Sequence, residues 1–152
     1  MTYWRMQLHP AESEGAIRHT VECLSAGYIG LDFESDAPDM LSVPKEALPE
    51  GQRNYWAFAH EMAEGDRVLL FAHHFPFALV RVAGGYNYIR NTAPEIGVWF
   101  RHFRKIDDVR YYGDFVTNAR TWEHLVMTAT LTPLRDPNTS SYQVITRWLG
   151  EA

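Results

Sequence analysis

The sequence predicts an α+β fold, namely a small β-barrel of five to six strands flanked by two to three helices. Short apolar runs with the two-residue alternation of strands recur along the chain. Other stretches repeat apolar residues every three or four positions, as helices do. Turn residues such as Glu64-Gly65-Asp66 separate successive strands, which favours hairpins and a closed or nearly closed barrel.

The first part of the chain contains a strand, a helix and a second strand, which we assign in order to Thr2–Leu8, Ser13–Ala26 and Tyr28–Phe33. Large apolar residues alternate in the first strand, and Pro10 ends it. Ile17, Val21 and Leu24 share one face of the helix, which Ser13 caps. Gly27 supplies the stop at the helix C-terminus.

The stretch 34–51 is acidic and contains three prolines, so it predicts a loop with one helical turn. Asn54–Ala63 follows as a second helix with a broad apolar face. Trp56 lies on that face and is expected to belong to the core. Trp99, in a later strand, is expected to be a core residue as well.

Three further strands follow the second helix, and we assign them to Arg67–Ala72, Pro76–Ala83 and Ile96–Ile106. Gly84-Gly85 predicts a bulge or bend after the second of these strands. Asp107-Asp108 is expected at the exit of the third. Thr121–Thr132 fits either a strand or a short helix, and a last helix is capped near Thr139.

The length of 152 residues predicts a single domain over residues 1–152. Cys23 is the only cysteine, which excludes an intrachain disulfide and a cysteine-based zinc site. The start of the chain lacks the pattern of a signal peptide, and no apolar run approaches the length of a membrane helix. We therefore expect a cytoplasmic protein with no membrane partner.

The charge is distributed unevenly, although its net value is −5. Residues 1–66 contain four basic and twelve acidic side chains, whereas residues 67–152 contain ten basic and seven acidic ones. The negative total argues against indiscriminate coating of nucleic acid. A basic face from the second half could still contact phosphates.

The order of these segments resembles the PUA-like superfamily, in particular its EVE and YTH branches and the related DNA-reading modules of modification-dependent restriction enzymes. The similar segments are GYIGLDF, MAEGDRVLLF, ALVRVAGGYNYI and GVWFRHFRKIDDV. They extend over roughly residues 3–110. The resemblance implies a module that binds a modified, methylated nucleobase of DNA or RNA. The base is flipped from a duplex or taken from a single strand and is stacked on aromatic rings.

The resemblance also implies which residues form the base-binding pocket. Its rings would be Phe33, where relatives have tryptophan, and the pair Tyr86 and Tyr88, which share one face of a strand. Asp32 would accept a hydrogen bond from an exocyclic amine. Two flanking contacts complete the set, Trp4 and His9.

The basic side chains near the proposed opening are the expected phosphate contacts: Arg90, Arg101, Arg104 and Lys105. Catalytic residues, metal ligands and cofactors are not expected, since no nucleophile elbow, metalloprotease helix or phosphate loop is present. An effector nuclease or another partner protein would supply any cleavage. Two alternatives stay open: a hydrolase of nucleoside derivatives or small-molecule sensor using Asp32 and His9, and a protein-interaction module whose contact surface is the tyrosine pair.

Overall fold

In a computed structural model of the protein, six strands form one mixed sheet that curls into a half-barrel, with three α-helices. The structure describes residues 1–8, 16–32, 37–72, 75–96, 98–111 and 129–150. The expected α+β class, with five to six strands and two to three helices, is confirmed.

The strands are β1 Tyr3–Gln7, β2 Tyr28–Leu31, β3 Arg67–Ala72, β4 Phe75–Tyr88, β5 His102–Tyr111 and β6 Leu131–Leu134. The helices are α1 Ala16–Ala26, α2 Arg53–His60 and α3 Ser140–Trp148. The strand order is β2-β5-β4-β3-β1-β6. β1 and β3 run parallel, whereas the other neighbours are antiparallel. The parallel pair needs a long crossover, which the segment containing α1, β2 and α2 provides.

Several predicted boundaries are confirmed by local backbone geometry. Gly27 follows α1 with a φ of 88°, the left-handed conformation that glycine adopts most easily. Thr139 is the N-cap residue of α3. The predicted cap of α1, Ser13, lies outside the described residues, as does most of the predicted 121–132 element.

The long strand β4 corrects the prediction that this strand ends at Ala83. The strand continues to Tyr88 because the register shifts between Val82 and Tyr86, where β4 has two residues more than the facing stretch of β5. This is the bulge that Gly84-Gly85 predicts. The bulge absorbs the extra residues and lets pairing with β5 resume beyond the two glycines.

The boundaries of β5 were predicted wrongly at both ends. The strand begins only at His102. The residues before it form a 3₁₀ turn, Pro94–Ile96, which the isolated pair Ala93–Val98 encloses. Asp107-Asp108 lies inside the strand and not at its exit. Asp108 has a φ of 46°, and its carboxylate accepts a 2.7 Å hydrogen bond from Arg67 Nη1 on β3.

The sheet carries a hydrophobic core on each face. One core contains Trp4, Met6 and Val80 together with residues of α1 and α2. The other is smaller and lies between the sheet and α3. Trp56 and Trp99 are half-buried at the margin of the larger core, which fits their predicted place. Within the described ranges, no helix combines the length and the apolar character that crossing a membrane requires.

Candidate functional site

The bulge in β4 is held from within the protein by Arg104. This side chain is only 3% exposed, and its Nε donates to the carbonyl oxygen of Gly84 at 3.1 Å. Its Nη1 donates to the carbonyl oxygens of Phe58 at 2.9 Å and Met62 at 2.7 Å, at the C-terminal end of α2. Phe58 lies in the last turn of α2 and Met62 lies two residues beyond its end, where carbonyl groups lack partners within the helix. Arg104 therefore fixes the position of α2 relative to the bulge.

Two tyrosines lie on one face of β4 immediately beyond the bulge. Tyr86 pairs across the ladder with Arg104, and Tyr88 pairs with His102. Both rings are half-buried. The rings of Tyr86 and Tyr88 lie 6.0 and 5.0 Å from the His102 ring, centroid to centroid. The predicted sharing of one face by the two tyrosines therefore produces an aromatic cluster around His102.

His102 is the buried centre of this cluster, with no exposed surface. The Tyr55 ring from α2 lies 4.6 Å from it, and the Tyr86 hydroxyl lies 2.8 Å from its Nδ1. Burial lowers the pKa of His102 to about 4, although the nearby Asp32 acts in the opposite direction. The imidazole is consequently neutral at physiological pH.

An ion pair lies beside the aromatic cluster. Arg101 donates from Nε and Nη2 to the same carboxylate oxygen of Asp32, at 2.9 and 2.6 Å. Both side chains are less than one-fifth exposed. The pairing with Asp32 raises the pKa of Arg101. Tyr88 and Tyr55 also act electrostatically on Arg101, which places the ion pair and the aromatic cluster in one site.

A turn that follows Asp32 along the chain is joined to the aromatic cluster by a hydrogen bond. In this turn, Ser42 N–H donates to the Asp39 carbonyl oxygen at 3.1 Å, and Leu41 N–H donates to the Asp39 carboxylate at 3.0 Å. Met40 is fully buried, and its N–H donates to the Tyr86 hydroxyl at 3.1 Å. We call residues 39–42 the Met40 turn.

The structure corrects the prediction for Trp4. The residue is 1% exposed, and its Nε1 donates to Asp66 Oδ2 at 2.9 Å. Asp66 also accepts from the backbone N–H groups of Thr2 and Ala63. Trp4 is therefore a core residue with a satisfied indole, and no base can stack on it in this structure.

Two of the four expected phosphate contacts are also corrected. Arg104 is buried among backbone carbonyls, and Arg101 is paired with Asp32. Arg90 and Lys105 are exposed, and neither forms an ion pair or hydrogen bond with the described residues. These two side chains stay available to a phosphate backbone.

The remaining predicted base contacts are Phe33 and His9, and both lie outside the described residues. Asp32, Tyr86 and Tyr88 are described, and the structure brings them to one site through Arg101 and His102. A group of three or more potential metal ligands does not occur within the described ranges.

Sequence reasoning missed His102 and Met40. A signal for His102 exists, because His102, Arg104 and Ile106 alternate and so share a face of one strand. Ile106 is a core residue, so His102 and Arg104 also face the interior and need hydrogen-bond partners there. No comparable signal marks Met40, since it lies in an irregular, proline-rich stretch.

The chain was also compared with known proteins. No protein-family model matches it, and no curated protein matches it.

Proposed function

We propose that this chain is a binding module for a modified, methylated nucleobase, taken from a single strand or flipped out of DNA or RNA. One observation carries the proposal. Beyond a glycine bulge, Tyr86 and Tyr88 present two rings on one strand face, next to the Asp32–Arg101 ion pair. This combination offers a flat apolar surface and a fixed polar group at the same place.

The aromatic part of the site suits a base. Stacking of a base on an aromatic side chain contributes about 1–3 kcal/mol, and a methyl group adds apolar area to the contact. Tyr88 is the ring that a base can shift without breaking a hydrogen bond, because its hydroxyl makes none to the described residues whereas that of Tyr86 is bound on both sides.

The ion pair suits the polar edge of a base. Arg101 bonds to one carboxylate oxygen of Asp32, Oδ1, and no described residue bonds to the other. The second oxygen can accept a hydrogen bond from an amino group of a base. Arg101 would then orient the carboxylate instead of contacting phosphate.

The proposal also includes the contacts to the phosphate backbone and the role of the module in the cell. Arg90 and Lys105 are the exposed cations that would contact phosphates near the site. The similarity of segment order to PUA-like, EVE and YTH domains supports the same function. The protein would act in the cytoplasm as a targeting module, with an effector nuclease or another partner providing any cleavage.

A binding screen with short oligonucleotides tests the proposal. Single- and double-stranded DNA and RNA would carry methylated, hydroxymethylated or unmodified bases at a stated salt concentration. We expect one modified base to bind at least about tenfold more tightly than its unmodified counterpart, equivalent to about 1.4 kcal/mol. Tyr88→Ala should remove most of this preference. Tyr142→Ala is the matched control, since Tyr142 is also half-buried but packs with the smaller core.

Three results would contradict the proposal. Equal affinity for modified and unmodified oligonucleotides would remove its basis. Turnover of modified nucleosides by the pure protein would favour the hydrolase alternative. A stable dimer that buries Tyr86 and Tyr88 would favour the interaction module.

A further inference from the structure

The backbone N–H and the backbone carbonyl oxygen of Met40 are each bound by a side chain from another element. The Met40 N–H donates to the Tyr86 hydroxyl on β4 at 3.1 Å. The Met40 carbonyl oxygen lies 2.8 Å from Nε2 of His60, the last residue of α2. Since Met40 has no exposed surface, these contacts fix the Met40 turn against the sheet and the helix.

The hydrogen bonds of Tyr86 assign the proton positions in the cluster. Burial raises the pKa of the Tyr86 hydroxyl, so it keeps its proton. The hydroxyl oxygen accepts from Met40 N–H, and its proton then has His102 Nδ1 as its acceptor. A protonated Nδ1 would leave the tyrosine proton without an acceptor among the described residues. His102 therefore carries its proton on Nε2. This atom is buried beside the Ala37 backbone, and no described residue meets it at hydrogen-bond geometry.

The two tyrosines consequently differ in role. The Tyr86 hydroxyl is bound by Met40 and His102, and its ring packs against Phe58 of the larger core at 6.4 Å. The Tyr88 ring contacts His102, but its hydroxyl has no partner among the described residues. A ligand can therefore contact Tyr88 without breaking a hydrogen bond of the protein, whereas displacement of Tyr86 would release the Met40 turn.

We infer that His102 is a positioning residue of the nucleobase site: through Tyr86 it holds the Met40 turn in place against the aromatic cluster that contains the stacking ring of Tyr88. The ligand part of this inference rests on the proposed function, whereas the hydrogen-bonded chain does not. The site would bind its base on a preformed aromatic surface, which reduces the ordering cost of binding.

The test uses substitutions that separate the acceptor at Nδ1 from the bulk of the imidazole. His102→Asn places an amide oxygen near the position of Nδ1, whereas His102→Leu provides no acceptor. Tyr86→Phe removes the hydroxyl between Met40 and His102. Tyr88→Phe is the matched control, because it removes a hydroxyl that has no partner among the described residues. Hydrogen exchange of the Met40 amide and the affinity for the preferred modified oligonucleotide are measured for each variant.

We expect Tyr86→Phe and His102→Leu to accelerate Met40 amide exchange and to weaken oligonucleotide binding by about fivefold to tenfold, as loss of one hydrogen bond predicts. The double variant should add little to either effect, because both changes break the same chain. His102→Asn and Tyr88→Phe should keep slow Met40 exchange. Imidazole nitrogen chemical shifts should report a proton on Nε2 of the wild type.

Two results would overturn the inference: unchanged Met40 exchange in Tyr86→Phe, or exchange in His102→Asn as fast as in His102→Leu. If His102→Leu does not fold, the comparison of Tyr86→Phe with Tyr88→Phe decides the matter alone. The exchange readout needs no ligand, so a wild type that does not prefer modified bases would refute the proposed function separately. Faster Met40 exchange with unchanged affinity in Tyr86→Phe would refute the positioning role.

Discussion

The Nε of Arg104 donates to the carbonyl oxygen of Gly84 at 3.1 Å, so a buried guanidinium on β5 occupies the bulge of β4. The same side chain binds the carbonyls of Phe58 and Met62. Burial lowers the pKa of Arg104, and the carboxylates of Asp66 and Glu64 oppose this shift. The tyrosines beyond the bulge thus depend on one cation for their position.

Arg104→Met should lower the free energy of unfolding by at least about 2 kcal/mol, since a buried acceptor left without a donor costs about 1–3 kcal/mol. Urea unfolding measures this change. Lys105→Met on the same strand is the control, and as an exposed residue it should change stability by no more than about 0.5 kcal/mol. Equal stability of the two variants would show that the three carbonyls do not need Arg104.

His102 should make stability dependent on pH. Its pKa is about 4 in the folded protein and 6.5 ordinarily, so the unfolded chain binds the proton more readily. The stabilising contribution of the neutral, buried imidazole is therefore complete above pH 6.5 and is lost as the pH falls towards 4. Between pH 7 and pH 5 the loss should be about 2 kcal/mol. Urea unfolding of the wild type and His102→Asn at both pH values measures it, and the variant should lose about 2 kcal/mol less. The same loss in both proteins would contradict the prediction.

Gly30→Ala should disrupt the strand that precedes Asp32. A Cβ atom at this position would overlap the His102 carbonyl oxygen and the Phe100 ring. We expect the free energy of unfolding to fall by about 1–3 kcal/mol or more, because overpacking a buried site forces the neighbouring groups to move. Gly85→Ala is the control, since its Cβ would meet no atom within 4 Å. Thermal unfolding of both variants checks the prediction, and an unaffected Gly30→Ala protein would refute it.

Trp4→Phe should reduce stability without changing ligand affinity. The substitution keeps an aromatic ring but removes the 2.9 Å hydrogen bond to Asp66. We expect a loss of about 1–2 kcal/mol, measured by urea unfolding. Affinity for the preferred oligonucleotide should stay the same, because Trp4 lies in the core. Weaker binding at unchanged stability would restore Trp4 as a base contact.

Arg90→Gln and Lys105→Gln should weaken binding to modified and unmodified oligonucleotides equally. Each change should reduce the slope of log affinity against log salt by about 0.7–0.9 if the side chain neutralises one phosphate. Arg81→Gln is the control, because Arg81 pairs with Asp107 at 2.6 Å. Binding titrations at several salt concentrations provide the slopes. A slope that the two test variants leave unchanged would exclude both residues as phosphate contacts.

Much of the fold follows from local sequence. The strand Arg67–Ala72 was predicted with its observed bounds, because an apolar run follows a Glu-Gly-Asp turn and ends at a short link with two histidines. The strand after it was predicted too short, since a glycine pair indicates a bulge but not how far pairing continues beyond it. That extent depends on a partner strand located 14 to 18 residues further along the chain, as the pairs Tyr88–His102 and Tyr86–Arg104 illustrate.

The candidate site was predicted in part. Period-two alternation places Tyr86 and Tyr88 on one face whatever the rest of the chain does. The sequence does not show which cations are available to a phosphate, because nothing in it distinguishes Arg101 and Arg104 from Arg90. Folding decides that Arg101 pairs with Asp32, which lies 69 positions away, and that Arg104 enters the core.

By itself the sequence determined the α+β class, the bulge at Gly84-Gly85 and the shared face of the tyrosines, because each depends on neighbouring residues and backbone sterics. Only the tertiary structure decided that Tyr86 is bound between Met40 and His102 while the Tyr88 hydroxyl has no described partner. A buried polar group must find its partner wherever the folded chain places one, and periodicity carries no information about that choice.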